Sequence, residues 1–230
     1  MSLKKLHRPL VLCLMMAGLS GSAFAVDGTI LIDQNRALAG NVTPGDAPGF
    51  PVTISQPGSY KLSGNLNLST TDTGNYLGQD VAIVITGSGV VLDLNGFSII
   101  VNNTIPTLNH GAFAVWGPGA VSQVSIKNGV VTVNSVPFTQ ATAQNTPVGI
   151  LLLSCVNCSA EDLSVTVVPS LSSGFAVGLS SESLIRHNRL KAPQPSGFAC
   201  PSVIVENTGI SLASQAGLNA GGCVALNNVP

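Results

Sequence analysis

The chain has 230 residues, and its 9 basic and 10 acidic side chains leave a formal charge of −1. Charged residues make up only 8% of it, against about a quarter in ordinary globular domains. That sparse, nearly balanced charge excludes a phosphate-backbone partner, so no nucleic acid is expected. Frequent Val, Ile and Leu runs set among Gly, Asn, Ser and Thr argue against disorder and for an all-β, turn-rich protein.

The N-terminus reads as an export signal. Lys4, Lys5 and Arg8 form a basic region, Leu10 to Leu19 an apolar one, and Ala23-Phe24-Ala25 a small-residue cleavage site. The apolar run is too short to span a bilayer, so no membrane contact is expected after cleavage at Ala25. The expected destination is the periplasm or the medium. Residues 26–80 read as an N-terminal cap with the first strands, and residues 81–230 as the coils of a repeat, together one domain.

Val26 to Ile32 is an expected first strand. Asp33 is placed to cap a short helix over Gln34 to Ala39, ended by Gly40. Ala37, Leu38 and Ala39 would then cover the open end of a stack. Thr43 to Pro51 is too dense in Pro and Gly for regular structure. Strand and turn alternate from Val52 onward, and Ser69 to Asp80 reads as a polar loop carrying Asp72, Tyr76 and Asp80.

The segment Val81 to Val101 sets the pattern for the rest. Val81–Ile85, Val90–Leu94 and Phe97–Val101 are short apolar strands, separated by Thr86-Gly87-Ser88-Gly89 and Asn95-Gly96. The Gly and Asn residues supply the positive φ that corners need. Three strands joined by such corners make one rung of a coil, each strand in its own parallel sheet. No rung can bury its apolar face alone, so each must stack on a neighbour. The pattern recurs to Val229. Asn95, Asn128, Asn188, Asn207 and Asn227 read as successive corners, spaced by a coil of roughly 20 residues with longer inserted loops.

Cys155, Cys158, Cys200 and Cys223 remain after signal cleavage. An even number in an exported chain favours disulfides over zinc, since Cys155-x-x-Cys158 has no second such pair. A thioredoxin-like role lacks its βαβ setting. Cys200 and Cys223 lie about one coil apart, close enough to bridge adjacent rungs; Cys155 and Cys158 are expected to be bridged or close to a third coil.

Pro44 to Leu66, PGDAPGFPVTISQPGSYKLSGNL, and Val90 to Ile99, VVLDLNGFSI, carry a resemblance. They resemble the right-handed parallel β-helix superfamily, the pectate-lyase-like fold, and exported bacterial β-helix proteins of unassigned function within it. The resemblance implies an all-β, single-stranded right-handed solenoid with a short N-terminal capping helix. It transfers no activity, because that fold hosts lyases, hydrolases, adhesins and spacers.

Pectate lyases hold calcium with acidic residues, and Asp72, Asp80 and Asp93 are the candidates here. No other cofactor is expected. Asp93 alternates with Leu92 and Leu94, so period-two alternation alone explains an outward carboxylate. Glu161-Asp162 is the single adjacent acidic pair, and neighbours on a strand point to opposite faces, which argues against paired acid–base work. Arg186-His187-Asn188-Arg189 is the densest polar cluster. Arg186 or Arg189 would hold a carboxylate and His187 would move a proton, if the chain is catalytic. The plainer reading is a corner with solvated neighbours. Trp116 and Tyr76 are the candidates for stacking on a sugar ring.

The leading expectation is an exported protein that meets polysaccharide with little or no catalysis. The alternatives are a lyase acting on uronan and a structural spacer or adhesin-like surface protein. Cys223 to Pro230 resembles the opening of another coil with nothing to cover it, so self-association through that end is expected.

Overall fold

The structure, a computed structural model, describes residues 28–69, 75–103, 111–135, 147–168, 175–180, 182–192, 194–198, 200–210 and 222–230. Its first elements are β1 (Ile30–Ile32), α1 (Gln34–Ala39), β2 (Val52–Ile54), β3 (Gly58–Leu62), β4 (Leu66–Ser69), β5 (Asn75–Tyr76) and β6 (Gln79–Ile85). Then come β7 (Val90–Asp93), β8 (Ser98–Asn103), β9 (Ala112–Gly117), β10 (Val121–Ser122), β11 (Ser125–Ser135), β12 (Val148–Leu152), β13 (Cys155–Val156) and β14 (Ser159–Val168). The last are β15 (Phe175–Leu179), β16 (Leu184–Arg186), β17 (Arg189–Lys191), β18 (Gln194–Phe198), β19 (Val203–Val205) and β20 (Val224–Leu226).

These strands stack as a parallel β-solenoid. One sheet runs β1-β3-β7-β11-β14-β16-β19-β20, with β4, β8 and β17 on its second limb. A second sheet runs β18-β15-β12-β9-β6-β2, and β10 pairs with β13. Every ladder is parallel except the β5–β6 hairpin. The polar loop expected from Ser69 to Asp80 therefore holds strand structure at Asn75–Tyr76 and from Gln79 onward.

The three strands expected in separate sheets fall in two. Val81–Ile85 lies in β6 of the second sheet, while Val90–Leu94 and Phe97–Val101 fall in β7 and β8 of one bent sheet. The reason lies in β11, which runs through the corner unbroken. Its Ser125, Ile126 and Lys127 pair with β7, and Val130 to Ser135 pair with β8. Asn128 makes the bend inside the strand with φ 61°. Gly129 is required there by close approach: a Cβ would overlap that of Leu94 and lie 2.8 Å from the Phe97 carbonyl oxygen.

Strand alternation sends one row of each limb inward. Tyr60, Leu62, Leu66, Leu92, Ile99, Ile126, Val131 and Val165 are fully buried in one continuous core. Each such side chain contributes about 1.5–3 kcal/mol by leaving water.

The helix cap is as its sequence implies. The Asp33 carboxylate accepts the Arg36 N–H at 2.8 Å, and Gly40 follows at φ 74°. The cover it gives is thinner than expected: Ala37 is buried, but Leu38 is 47% exposed and Ala39 is exposed too. The Pro- and Gly-rich stretch completes the cover with buried Val42 and Phe50. Buried Asp46 organises it, accepting the Val42 N–H at 3.0 Å and the Thr53 N–H at 2.6 Å.

Two of the later corners, those read at Asn188 and Asn207, differ from their reading, while Asn227 is a corner as expected. The positive-φ residues are Asp162, His187, Glu206 and Asn227, at 54°, 55°, 56° and 54°. Asn188 and Asn207 sit one position later and point inward. With Asn228 they form a buried amide ladder. Asn188 Nδ2 donates to the Ala160 carbonyl at 2.8 Å, Asn207 Nδ2 to Ile185 at 3.0 Å, and Asn228 Nδ2 to Ile204 at 2.8 Å. Buried amides need partners, and each rung supplies them to the next.

Two disulfides are present. Cys200–Cys223 joins the coil of β19 to that of β20, with Cα atoms 4.9 Å apart. Cys155–Cys158 closes a tight loop between β13 and β14, with Cα atoms 6.0 Å apart. Such bridges are compatible with an extracytoplasmic setting. No helix among the described residues is long and apolar enough to cross a membrane.

Candidate functional site: the outer face of the bent sheet

The residue preceding the corner on each rung points outward, and parallel register stacks these residues in a column. Lys61 pairs with Asp93, Asp93 with Lys127, Lys127 with Glu161, and Glu161 with Arg186. Charge alternates at every step, at a rung spacing of about 4.8 Å. Opposite charges directly across a ladder stabilise it. The Arg186 Nε–H donates to Glu161 Oε2 at 2.6 Å. Asp93 also binds two corners, accepting the Asn95 N–H of its own at 2.7 Å and Asn128 Nδ2 of the next rung at 3.2 Å.

Burial alone would raise the Glu161 carboxyl. The hydrogen bonds from Arg186 and Ser159, with the charges of Arg186 and Lys127, outweigh it and hold Glu161 below the usual value. The hydrogen bond to Glu161, then its charge, raises the Arg186 guanidinium in turn.

A second column stands at the corner itself. His187 Nδ1 lies 3.3 Å from Asp162 Oδ1, and its Nε2 lies 2.6 Å from Glu206 Oε2. Of the three residues expected to act together, Arg186 and His187 are thus engaged by carboxylates on neighbouring rungs. Arg189 is exposed on β17, in register with Ser164 and Thr208, and forms no ion pair among the described residues.

Asp80 lies on β6 of the second sheet and Asp93 on β7 of the first; Asp72 lies outside the described residues. Among the described residues, no three His, Cys, Asp or Glu side chains are grouped to hold a metal.

Trp116 and Tyr76 do meet. Phe113 stacks on Trp116 with centroids 5.1 Å apart, and Tyr76 meets it edge-on at 5.8 Å. They pack with Val81, Val84, Val148 and Leu151 in a cluster separate from the main core. One ring face of Trp116 is therefore taken by Phe113. Its Nε1 is buried without a hydrogen-bond partner among the described residues.

Two further features escaped the sequence. On the second limb, Asn102 Nδ2 donates to Asn67 Oδ1 at 3.1 Å and Asn134 Nδ2 to Asn102 Oδ1 at 2.8 Å, with Thr132 and Thr166 aligned beside them. On the first limb, a shallow groove of about 630 Å³ runs past Ser159, Leu184, Val203 and Val224, with Glu182 at its edge. Their members lie whole coils apart in sequence, so no local motif announces them.

Compared with family models, curated proteins and solved structures, the chain has no match.

Proposed function

We propose that this chain is an exported β-solenoid of the pectate-lyase-like superfamily that holds polysaccharide on the second limb of its bent sheet without efficient cleavage. The observation that carries this reading is the row of outward amides and hydroxyls formed by Asn67, Asn102, Asn134, Thr132 and Thr166. Such groups offer both donors and acceptors to sugar hydroxyls, at regular rung spacing. The engagement of Arg186 and His187 in lateral pairs supports the non-catalytic side of the proposal, because acid–base work needs groups free to reach substrate.

One observation favours a second reading, a lyase acting on uronan with calcium. Arg189 is exposed and unengaged by any carboxylate among the described residues, and would hold a substrate carboxylate while His187 moves a proton.

Incubation with a panel of neutral and acidic polysaccharides separates the readings. Retention on an insoluble polysaccharide, weakened by Asn102→Ala with Thr132→Ala and without release of unsaturated ends, is the expected result. Release of unsaturated uronides, lost in Arg189→Ala, would establish the lyase. No retention on any member would leave the spacer or adhesin-like role and refute binding.

A further inference from the structure

The corner column reads Asn128, Asp162, His187, Glu206, Asn227, one residue per rung, each with φ between 54° and 61°. Asparagine stands at both ends, and the three middle rungs are titratable. Glu206 is the outlier, since Asn, Asp and His adopt positive φ several times more often than other side chains.

Both ring nitrogens of His187 face carboxylate oxygens. Nδ1 is 3.3 Å from Asp162 on the rung of β14, and Nε2 is 2.6 Å from Glu206 on the rung of β19. A neutral imidazole has one N–H and one lone pair. Whichever nitrogen holds the proton, the other then turns its lone pair toward an anionic oxygen. Only the imidazolium, with two N–H donors, serves both carboxylates. The other charges nearby do not replace it. Glu161 is engaged by Arg186 and lies in register with Lys127, Arg189 pairs with no carboxylate among the described residues, and the rung of β20 offers uncharged Asn227.

We propose that His187 is a proton-operated staple across three coils, closed while the imidazole carries both protons and half open once it carries one. Exposed ion pairs are individually weak, but the ladders reinforced here are short. β16–β19 and β19–β20 pair over three residues each, against nine for β11–β14. A modest local contribution therefore changes how often these coils open. The staple holds in mild acid and is lost as pH rises and the second proton leaves. It is lost again in strong acid, when the carboxylates are neutralised. It does not rest on polysaccharide binding.

Native-state hydrogen exchange at about pH 5.5 and about pH 8 tests the proposal. The reporters are the Leu190 and Thr208 amides, which donate across the rungs to Thr208 and Asn188. Wild type is compared with His187→Asn at each pH, which cancels the pH dependence of the exchange chemistry itself. Asparagine suits the corner, so the variant folds. Protection of wild type relative to the variant is expected to be several-fold greater at the acidic pH. Asp162→Asn and Glu206→Gln each leave one carboxylate, which a neutral imidazole serves with its single N–H. Each should therefore remove most of that pH dependence. A ratio that is the same at both pH values would overturn the proposal. So would a pH-dependent ratio that survives both carboxylate substitutions undiminished, since the proton would then act through another contact.

Discussion

Asn207 is the sharpest test of how the C-terminal coils hold together. Its side chain is fully buried. Nδ2 lies 3.0 Å from the Ile185 carbonyl, 2.9 Å from that of Val205 and 2.9 Å from Asn228 Oδ1. Oδ1 accepts the Asn188 N–H at 2.9 Å and Asn188 Nδ2 at 3.0 Å. Asn207→Ala leaves at least the Asn188 N–H and the Ile185 carbonyl without this partner. Each buried polar group left unpaired costs about 1–3 kcal/mol, so a loss of about 2–6 kcal/mol is expected. That is a large part of the roughly 5–15 kcal/mol that stabilises a typical domain. Asn207→Asp should be worse at neutral pH, because it turns a carboxylate toward three oxygens, and should partly recover in acid, where a protonated carboxyl donates again. Denaturant unfolding gives the size of the effect. Native-state hydrogen exchange of Val203–Val205 and Val224–Leu226 gives its location. A loss under about 0.5 kcal/mol, no larger than that of the exposed helix substitution Asn35→Ala, would refute the ladder as a stabilising element.

Four further outcomes are expected. Glu161 is held below its ordinary value in the folded state, so its contribution is full above about pH 5 and fades as pH falls through the folded value; the stability gap between wild type and Glu161→Gln, followed by melting from pH 7 to 3, should shrink accordingly, and a gap unchanged down to pH 3 would contradict the pairing. Joint replacement of Cys200 and Cys223 by Ser should cost about 3 kcal/mol in the chain-entropy view, read by thermal unfolding with and without reductant. Gly129→Ala should cost about 1–3 kcal/mol through overlap with Leu94, whereas Gly119→Ala, at a position with open space around it, should be near neutral. Asp46→Ala removes the acceptor of two backbone N–H groups and should loosen the stretch from Val42 to Thr53, seen as faster amide exchange there.

What could be read in advance was local chemistry. Asp33 and Gly40 bracket a helix because a cap needs a side-chain acceptor at one end and a positive φ at the other. The strands from Val81 to Val101 announce themselves by apolar runs between Gly and Asn corners. What escaped was set between rungs. Asparagine tolerates positive φ, which marks Asn188 as a corner in the sequence, yet His187 takes that conformation, since the buried amide is worth more inside the stack. The pairing of Arg186 with Glu161 spans 25 residues, and that of Asn128 with Asp93 spans 35. No window short enough to scan by eye contains either. Asp46 gives no local signal among prolines and glycines, because its role is to accept two N–H groups that only the folded loop brings near.

The alternating column from Lys61 to Arg186 also acts as a code for coil order. Let one rung be skipped, so that each strand pairs with the next but one. Lys61 then meets Lys127, Asp93 meets Glu161, and Lys127 meets Arg186. Every correct attraction becomes a repulsion between directly opposed like charges. Apolar interiors of stacked coils resemble one another and discriminate poorly between right and wrong neighbours, so the discrimination falls to the surface. A chain emerging one coil at a time would thus be proofread at each addition by the sign of a single outward side chain.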